Sequence, residues 1–486
     1  MSEALKISLT RPKLIYLVGG VFALINALLV AFEFYYAPIL PVFLAIVLLA
    51  FFALDKLVLL IVFLAPLSVN IADIGMGVGM AIPTDPLLFG VMLMFLLKLI
   101  TERRFDKHIA DHPVTLAIIL NLVWIALTAV TSEMPLVSVK FLASRLWYVI
   151  SFYFVTTQIF RRFENIKWFI GAYMTAFVGI ICYTIIRHAM YDFLEQPAHW
   201  VMEPFFNDHT SYGAVLAMFY PLVVGLLFSS NYSRTWKMVF LFLFVLFTIA
   251  LVLSYTRAAW VSLIGALGVY IIMRLRIKFL TVVTFASIFI VALFLSWETI
   301  VMKLEKNRQD SSAEFTEHVQ SITNISTDAS NLERLNRWSS AWRMFKKRPF
   351  MGWGPGTYMF QYAPFQLSSE KTRISTNAAD KGNAHSEYIG PLAESGILGM
   401  LSFLIIVISV IYTAVTLYPK LSNKEHRFYL VCLFLGLITY LIHGLLNNFL
   451  DTDEASAPFW GFIAAIVALN VYHSKEEKDL LETGGQ

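Results

Sequence analysis

The chain has 486 residues, 58% of them hydrophobic and only 14% charged, with a mean hydropathy of +0.69. A soluble domain is about half apolar and about a quarter charged, so these figures exclude a soluble enzyme, a disordered chain and a disulfide scaffold, and point to a polytopic membrane protein. The net charge of +4 gives no global field that would recruit nucleic acid, and none is expected as a partner.

A spanning helix needs roughly 20 apolar residues. Candidate segments in chain order are 14–32, 38–54, 57–69, 84–100, 113–130, 138–159, 168–187, 211–229, 237–253, 257–273, 279–296, 388–416, 428–446 and 457–472. Segment 57–69 is short enough to be re-entrant, so the expectation is an all-α polytopic protein with 12–14 transmembrane helices. Residues 1–296 then hold the first eleven spans, 297–387 one large loop, 388–472 the C-terminal spans and 473–486 a tail.

Lys and Arg set the orientation. With the N-terminus inside, the inner segments carry twenty basic residues, among them Arg103, Arg161, Arg274 and Lys420, whereas the short outer loops 33–37, 70–83, 131–137, 188–210 and 447–456 carry none. The positive-inside rule therefore predicts that both termini face the cytoplasm. Loop 297–387 is outer, and its many charges do not oppose this, because long loops are translocated regardless of charge. Its first part, 305–330, is polar and reads as flexible or weakly helical. In 331–348, Leu335, Trp338, Trp342 and Phe345 recur at helical spacing with Arg334, Arg337, Arg343 and Lys346 on other faces. This basic amphipathic helix either lies on the lipid surface or caps the bundle through its two Trp. Pro349 and the glycines that follow end it.

Charge in a span is costly and by default marks a partner or a pathway. Arg145, Arg187 and Arg257 stand at or near outer span ends, where a guanidinium fork suits an anionic head group. For Arg187, snorkelling to water is the preferred reading. His443 lies inside a span and reads as a satisfied interhelical donor. His199 and His209 lie in an outer loop without metal-ligand spacing. His385 stands where the long loop re-enters the membrane, a place where an imidazole that accepts protons meets both water-soluble groups and a lipid-borne phosphate. The Asp-x-Asp of DTDE (451–454) is a weak divalent-metal candidate; no P-loop, zinc spacing or Ser-His-Asp order appears, and no cofactor is expected.

Three stretches carry a family resemblance. HSEYIGPLAESGILG places Ser386 after His385, then nine residues, Gly396, two residues and Gly399, and is similar to the H-[NSQ]-x9-G-x-x-[GTY] signature of bacterial O-antigen ligases. Residues 333–358 resemble the superfamily's R-x-x-x-W helix, here Arg334 to Trp338, followed by P-x-x-G-x-G-x-G-x-[YF]; SYTRAAW (254–260) resembles its arginine element at Arg257. The resemblance covers roughly residues 200–450 and includes O-antigen ligases, O-antigen polymerases and protein O-oligosaccharyltransferases.

It implies a GT-C-like membrane glycosyltransferase of the bacterial inner membrane that moves a glycan from undecaprenyl diphosphate at the periplasmic face, by a metal-independent inverting reaction. His385 would be the base, and Arg257, with Arg145 and Arg187 behind it, would hold the diphosphate. The acceptor would be lipid A core for a ligase, or a growing polysaccharide for a polymerase. Arg334, Arg337, Trp338, Glu387 and Glu394 are candidates on the acceptor and loop side; the two glutamates either orient the imidazole or make helix-end polar contacts. A protein acceptor is a third reading. A lipid-glycan transporter is the rival of another class, but no pair of matching interrupted spans is found.

Overall fold

A computed structural model describes residues 12–32, 39–70, 79–102, 105–230, 232–275, 329–372 and 382–474, together with 277, 281, 284, 287–288, 291–292, 295–296 and 375. More than half of the expected span 279–296, most of the stretch 305–330 and nearly all of the tail 473–486 lie outside the described residues. The protein is 77% helix and 1% strand, the all-α architecture expected. It divides into two units, Met1–Leu57 and Val58–Gln486. The first holds α1 (Pro12–Ala31), whose one charged residue is Lys13, and α2 (Ile39–Phe52), which has none. Helix α3 (Leu54–Leu64) is only 11 residues long, too short to span, and matches the expected short segment. A 3-10 turn then leads into Val69–Asn70, which pairs antiparallel with Ala81–Ile82.

Among the described residues, ten helices of the second unit are long and apolar enough to cross a membrane. They are α4 (Thr84–Glu102), α5 (Pro113–Val130), α6 (Pro135–Ile159), α7 (Phe163–Ala189), α8 (His209–Phe228), α9 (Arg234–Leu253), α10 (Arg257–Arg274), and, after the large loop and its helix α11 (Ala329–Lys347), α12 (Ile389–Leu417), α13 (Lys424–His443) and α14 (Asp453–His473). Each corresponds to an expected span. Helix α14 is the hub: 89% of its apolar window is buried, against 22% for α9 and for α10. Its run of Ala, Ser and Gly lets neighbouring backbones approach, the usual device where lipid removes the hydrophobic drive for helix association. On α9 and α10, Phe242 and Ile264 point outward, as lipid-facing positions do.

The basic connections gather at one end of this bundle. There Lys167 pairs with Glu425 at 2.8 Å, the Arg161 guanidinium lies over Tyr472, and Tyr472 donates to Asp106 at 2.8 Å. The large loop docks at the other end. Helix α11 settles there with Trp342 50% exposed and Trp338 partly buried, and its tryptophans are not its main buried stripe. The buried stripe is Glu333, Asn336, Arg337, Ser340, Ala341 and Met344, at the i, i+3, i+4, i+7 spacing of one helix face. Its polar members satisfy one another and the loop. Arg337 Nε donates to Glu333 at 2.8 Å, Asn336 donates to Gln366 at 2.9 Å, and Ser340 donates to the Asn336 carbonyl at 2.8 Å.

Residues 349–358 then run along the first turns of α12. The N–H groups of Trp353 and Gly354 donate to the carbonyls of Ala393 and Glu394 at 3.2 and 2.8 Å, and Ile397 N–H donates to the Pro349 carbonyl at 2.9 Å. This close approach explains Gly396, which has φ +69 and faces the Phe350 carbonyl where a side chain would stand. Alanine there would meet both backbone strain and the docked loop, a cost of about 1–3 kcal/mol or more. Gly396→Ala is therefore expected to lower the thermal midpoint in detergent by several degrees, whereas Gly390→Ala, whose nearest neighbour would be the Ala384 methyl at 3.8 Å, leaves it in place. Equal midpoints for the two variants would contradict this docking.

Candidate active site

His385 sits on the segment that joins the docked loop to α12, and that segment is fixed from both sides. On the loop side, Arg337 Nη1 donates to the Asn383 carbonyl at 3.2 Å, and the Asn383 side chain accepts the His385 N–H at 3.1 Å. On the bundle side, Glu387 is buried and its Oε1 accepts from Tyr440 at 2.6 Å and from the N–H groups of Phe449 and Leu450 at 2.8 and 3.0 Å. The Glu387 N–H donates to the Gly444 carbonyl at 2.8 Å, and Tyr388 donates to the Leu441 carbonyl at 3.0 Å. Between these anchors His385 is held at φ +46, a left-handed conformation that costs an L residue about 1–2 kcal/mol and that the surrounding bonds enforce.

The His385 ring is partly buried, and among the described residues neither of its nitrogens makes a hydrogen bond. Arg334, Arg337 and Asp208 lie within electrostatic reach. Burial, reinforced by the two guanidinium charges against the opposing pull of Asp208, pushes the imidazole down to about 3. The ring is therefore neutral at neutral pH and has a lone pair to offer. Arg334 is held by a hydrogen bond from Nε to the Leu446 carbonyl at 3.1 Å, so the cation and the imidazole share one corner of the bundle.

Helix α8 closes this corner. Asp208 caps it, accepting from the N–H groups of Thr210 and Ser211 at 2.9 and 2.8 Å. Burial raises the Asp208 carboxyl, but these bonds outweigh it and hold the group below the usual range, as an anion. The His209 ring stacks on His199 with centroids 4.3 Å apart. His443, in the last turn of α13, is 1% exposed and lies within reach of Arg334, Asp208 and His209. It differs from the sequence expectation: it is not a satisfied interhelical donor, since neither ring nitrogen has a partner among the described residues. A buried polar group left unpaired costs about 1–3 kcal/mol.

The remaining candidates are distributed as follows. Arg257 opens α10 directly after Thr256, whose hydroxyl donates to the His209 carbonyl at 2.7 Å, so its backbone adjoins the His209 turn. Arg145 stacks over Phe141 and lies within reach of Glu394 and Asp451. Glu394 accepts the Tyr358 N–H at 2.9 Å and so holds the glycine-rich loop. Arg187 donates to the carbonyls of Val201 and Glu203 at 3.3 and 2.5 Å and stacks on Trp200; it ties down the 190–208 connection rather than reaching freely to water. Trp338 is partly buried, with its indole N–H unpaired among the described residues. In the DTDE stretch, Asp453 accepts from Ser68 at 2.6 Å and from Thr84, and among the described residues no group of three His, Cys, Asp or Glu could hold a metal.

Asp208 escapes the sequence reading, in which His209 and His443 stand as separate bystanders and not as neighbours of His385. No fixed spacing links them to His385; the only local signal was the Asp-His-Thr-Ser run, which reads as a helix start. If Arg334 depresses His385 as described, Arg334→Gln removes one of the forces that lower it, and the His385 ring should titrate at a higher pH in that variant. Ring NMR shifts followed through a pH series check this; an unchanged titration would remove Arg334 from the surroundings of His385.

No curated protein matches the chain. Residues 242–404, which contain Arg257, Arg334, Arg337, His385, Glu387 and Glu394, match the family model described as O-antigen ligase. Over residues 242–404, and with the His385 and Gly396 signature at the junction of loop and membrane, this multi-pass helical bundle is similar to the O-antigen ligase family of glycosyltransferase-like membrane enzymes.

Proposed function

We propose that this protein is an O-antigen ligase-type glycosyltransferase that moves a glycan from undecaprenyl diphosphate to a hydroxyl of lipid A core at the periplasmic face of the inner membrane. The observation that carries this reading is a neutral imidazole, His385, fixed in a left-handed turn beside Arg334 at the end of the bundle opposite the basic connections. By the positive-inside rule that end is periplasmic.

The chemistry asks three things of the protein. His385 takes the proton of the attacking hydroxyl as the new bond to the anomeric carbon forms. The bond from that carbon to the diphosphate oxygen breaks, and the carrier leaves as the lipid diphosphate, its growing charge met by Arg334 and Arg257. Attack opposite the leaving group inverts the anomeric centre and needs no enzyme nucleophile. The proton on His385 then passes to the diphosphate or to water, restoring the neutral ring. Arg337 and Glu387 act through His385 by holding its segment, and Arg145 supports the neighbouring turn beside Asp451. No metal takes part in this scheme.

The bound diphosphate also tunes the base. Free His385 is pressed down by burial and, in addition, by two positive neighbours; a bound dianion offsets the neighbours, so the ring's affinity for a proton rises when the substrate is in place. Protonation disables the base, so the acid limb of kcat should lie at a higher pH than that of kcat/KM; coincident limbs would contradict this coupling. His385→Ala should abolish transfer while leaving membrane insertion and abundance intact, and wild-type transfer by that variant would remove the base assignment. Arg257→Lys should recover only part of the binding that Arg257→Ala loses, because a bidentate fork becomes a point charge. The acceptor is checked with purified protein and lipid-linked glycan: product on lipid A core means ligase, whereas longer lipid-linked chains would make it a polymerase.

A further inference from the structure

The buried polar atoms without partners are not scattered evenly. Among the described residues, both ring nitrogens of His443, Nδ1 of His209, the Asn447 amide nitrogen and the Asn448 amide oxygen are all unpaired. They belong to one neighbourhood. His443 and Asn447, 1% and 2% exposed, bracket the turn whose Leu446 carbonyl holds Arg334, and His209 lies within reach of His443. Native folds pair such groups, so a concentration of unpaired ones marks a place where something else supplies the bonds. The shallow side is open: His199, stacked on His209, is exposed, and His209 is only partly buried.

The bonding pattern selects the ligand. A neutral imidazole offers one donor and one acceptor, and an amide offers both kinds. An anion can only accept, so it leaves the acceptors here unmet. A sugar, with hydroxyls that donate and accept, matches the whole set. We infer that the His443–Asn448 turn with His209 is the subsite for the sugar attached directly to the diphosphate, with Arg334 at its edge meeting the phosphate. The inference rests on the transfer reading above and adds a selectivity to it: the carrier is recognised through its first sugar and not by charge alone.

The test compares two probes, undecaprenyl diphosphate and undecaprenyl diphosphate bearing a single N-acetylhexosamine, each titrated against the full-length protein in nanodiscs. Wild type should bind the sugar-bearing probe about tenfold more tightly, since a site built to bond hydroxyls rejects a ligand that leaves its polar groups unpaired. His443→Phe should reduce that preference to within about twofold without weakening the sugar-free probe, and His443→Asn should keep part of it. Asn447→Ala gives the same readout should His443→Phe fail to fold, as judged by elution profile and thermal midpoint. Equal affinity of wild type for the two probes, or an undiminished preference in the folded variants, overturns the subsite and leaves ordered water as the partner of these atoms. Failure of wild type to bind either probe overturns the transfer reading as well.

Discussion

The candidate site depends on one buried carboxylate. Among the described residues Glu387 has no charged hydrogen-bond partner; it is held by a phenol and two backbone N–H groups, and its own N–H reaches back to Gly444. Bonds to a charged group are worth about 1.5–3 kcal/mol each, and removing them would leave an anion stranded away from water. This knot joins the end of α13 to the start of α12 through residues more than fifty positions apart, and the turn it fixes includes the Leu446 carbonyl that holds Arg334. Without it, His385 would belong to a loop and Arg334 to an unrelated helix. With it, they lie within electrostatic reach of each other.

That arrangement reconciles two demands that ordinarily conflict. A site that binds a lipid diphosphate needs fixed positive charge, and a base that abstracts a hydroxyl proton needs to be uncharged beforehand. In the proposed transfer, placing the buried imidazole near guanidinium groups would serve both in sequence: burial and the guanidinium field keep the ring neutral in the free protein, and a bound diphosphate would offset that field when the ring is to act. Asp208, an anion within electrostatic reach, limits how deeply the ring is depressed.

The spans were readable because a stretch of about twenty apolar residues has few other fates. The ten helices recovered fall on expected segments, and the short α3 was recognisable from its length. The candidate histidine could be singled out because its glycine neighbours in the motif are local: Gly396 is needed where the Phe350 carbonyl presses on α12, and that steric demand leaves a pattern in the chain. The mode of docking of α11 was not, since a stripe of Glu333, Asn336 and Arg337 looks solvent-facing until the loop that pairs with it is folded against it. Asp208, His209 and His443 were hidden as neighbours of His385 for a related reason. They come from two helices far from the signature, and only the packing of α8 against α13 brings them near Arg334. Arg187 was conspicuous for its charge, yet the carbonyls it holds are invisible at the level of residue type.

The central claim is a single-displacement transfer driven by one base beside fixed cations. Its most direct measurement is the anomeric configuration of the product, read by NMR after a single turnover of purified protein with a lipid-linked glycan of known configuration and a lipid A core acceptor. The account predicts a linkage inverted relative to the carrier. A retained configuration would require a covalent glycosyl-enzyme intermediate and contradict it.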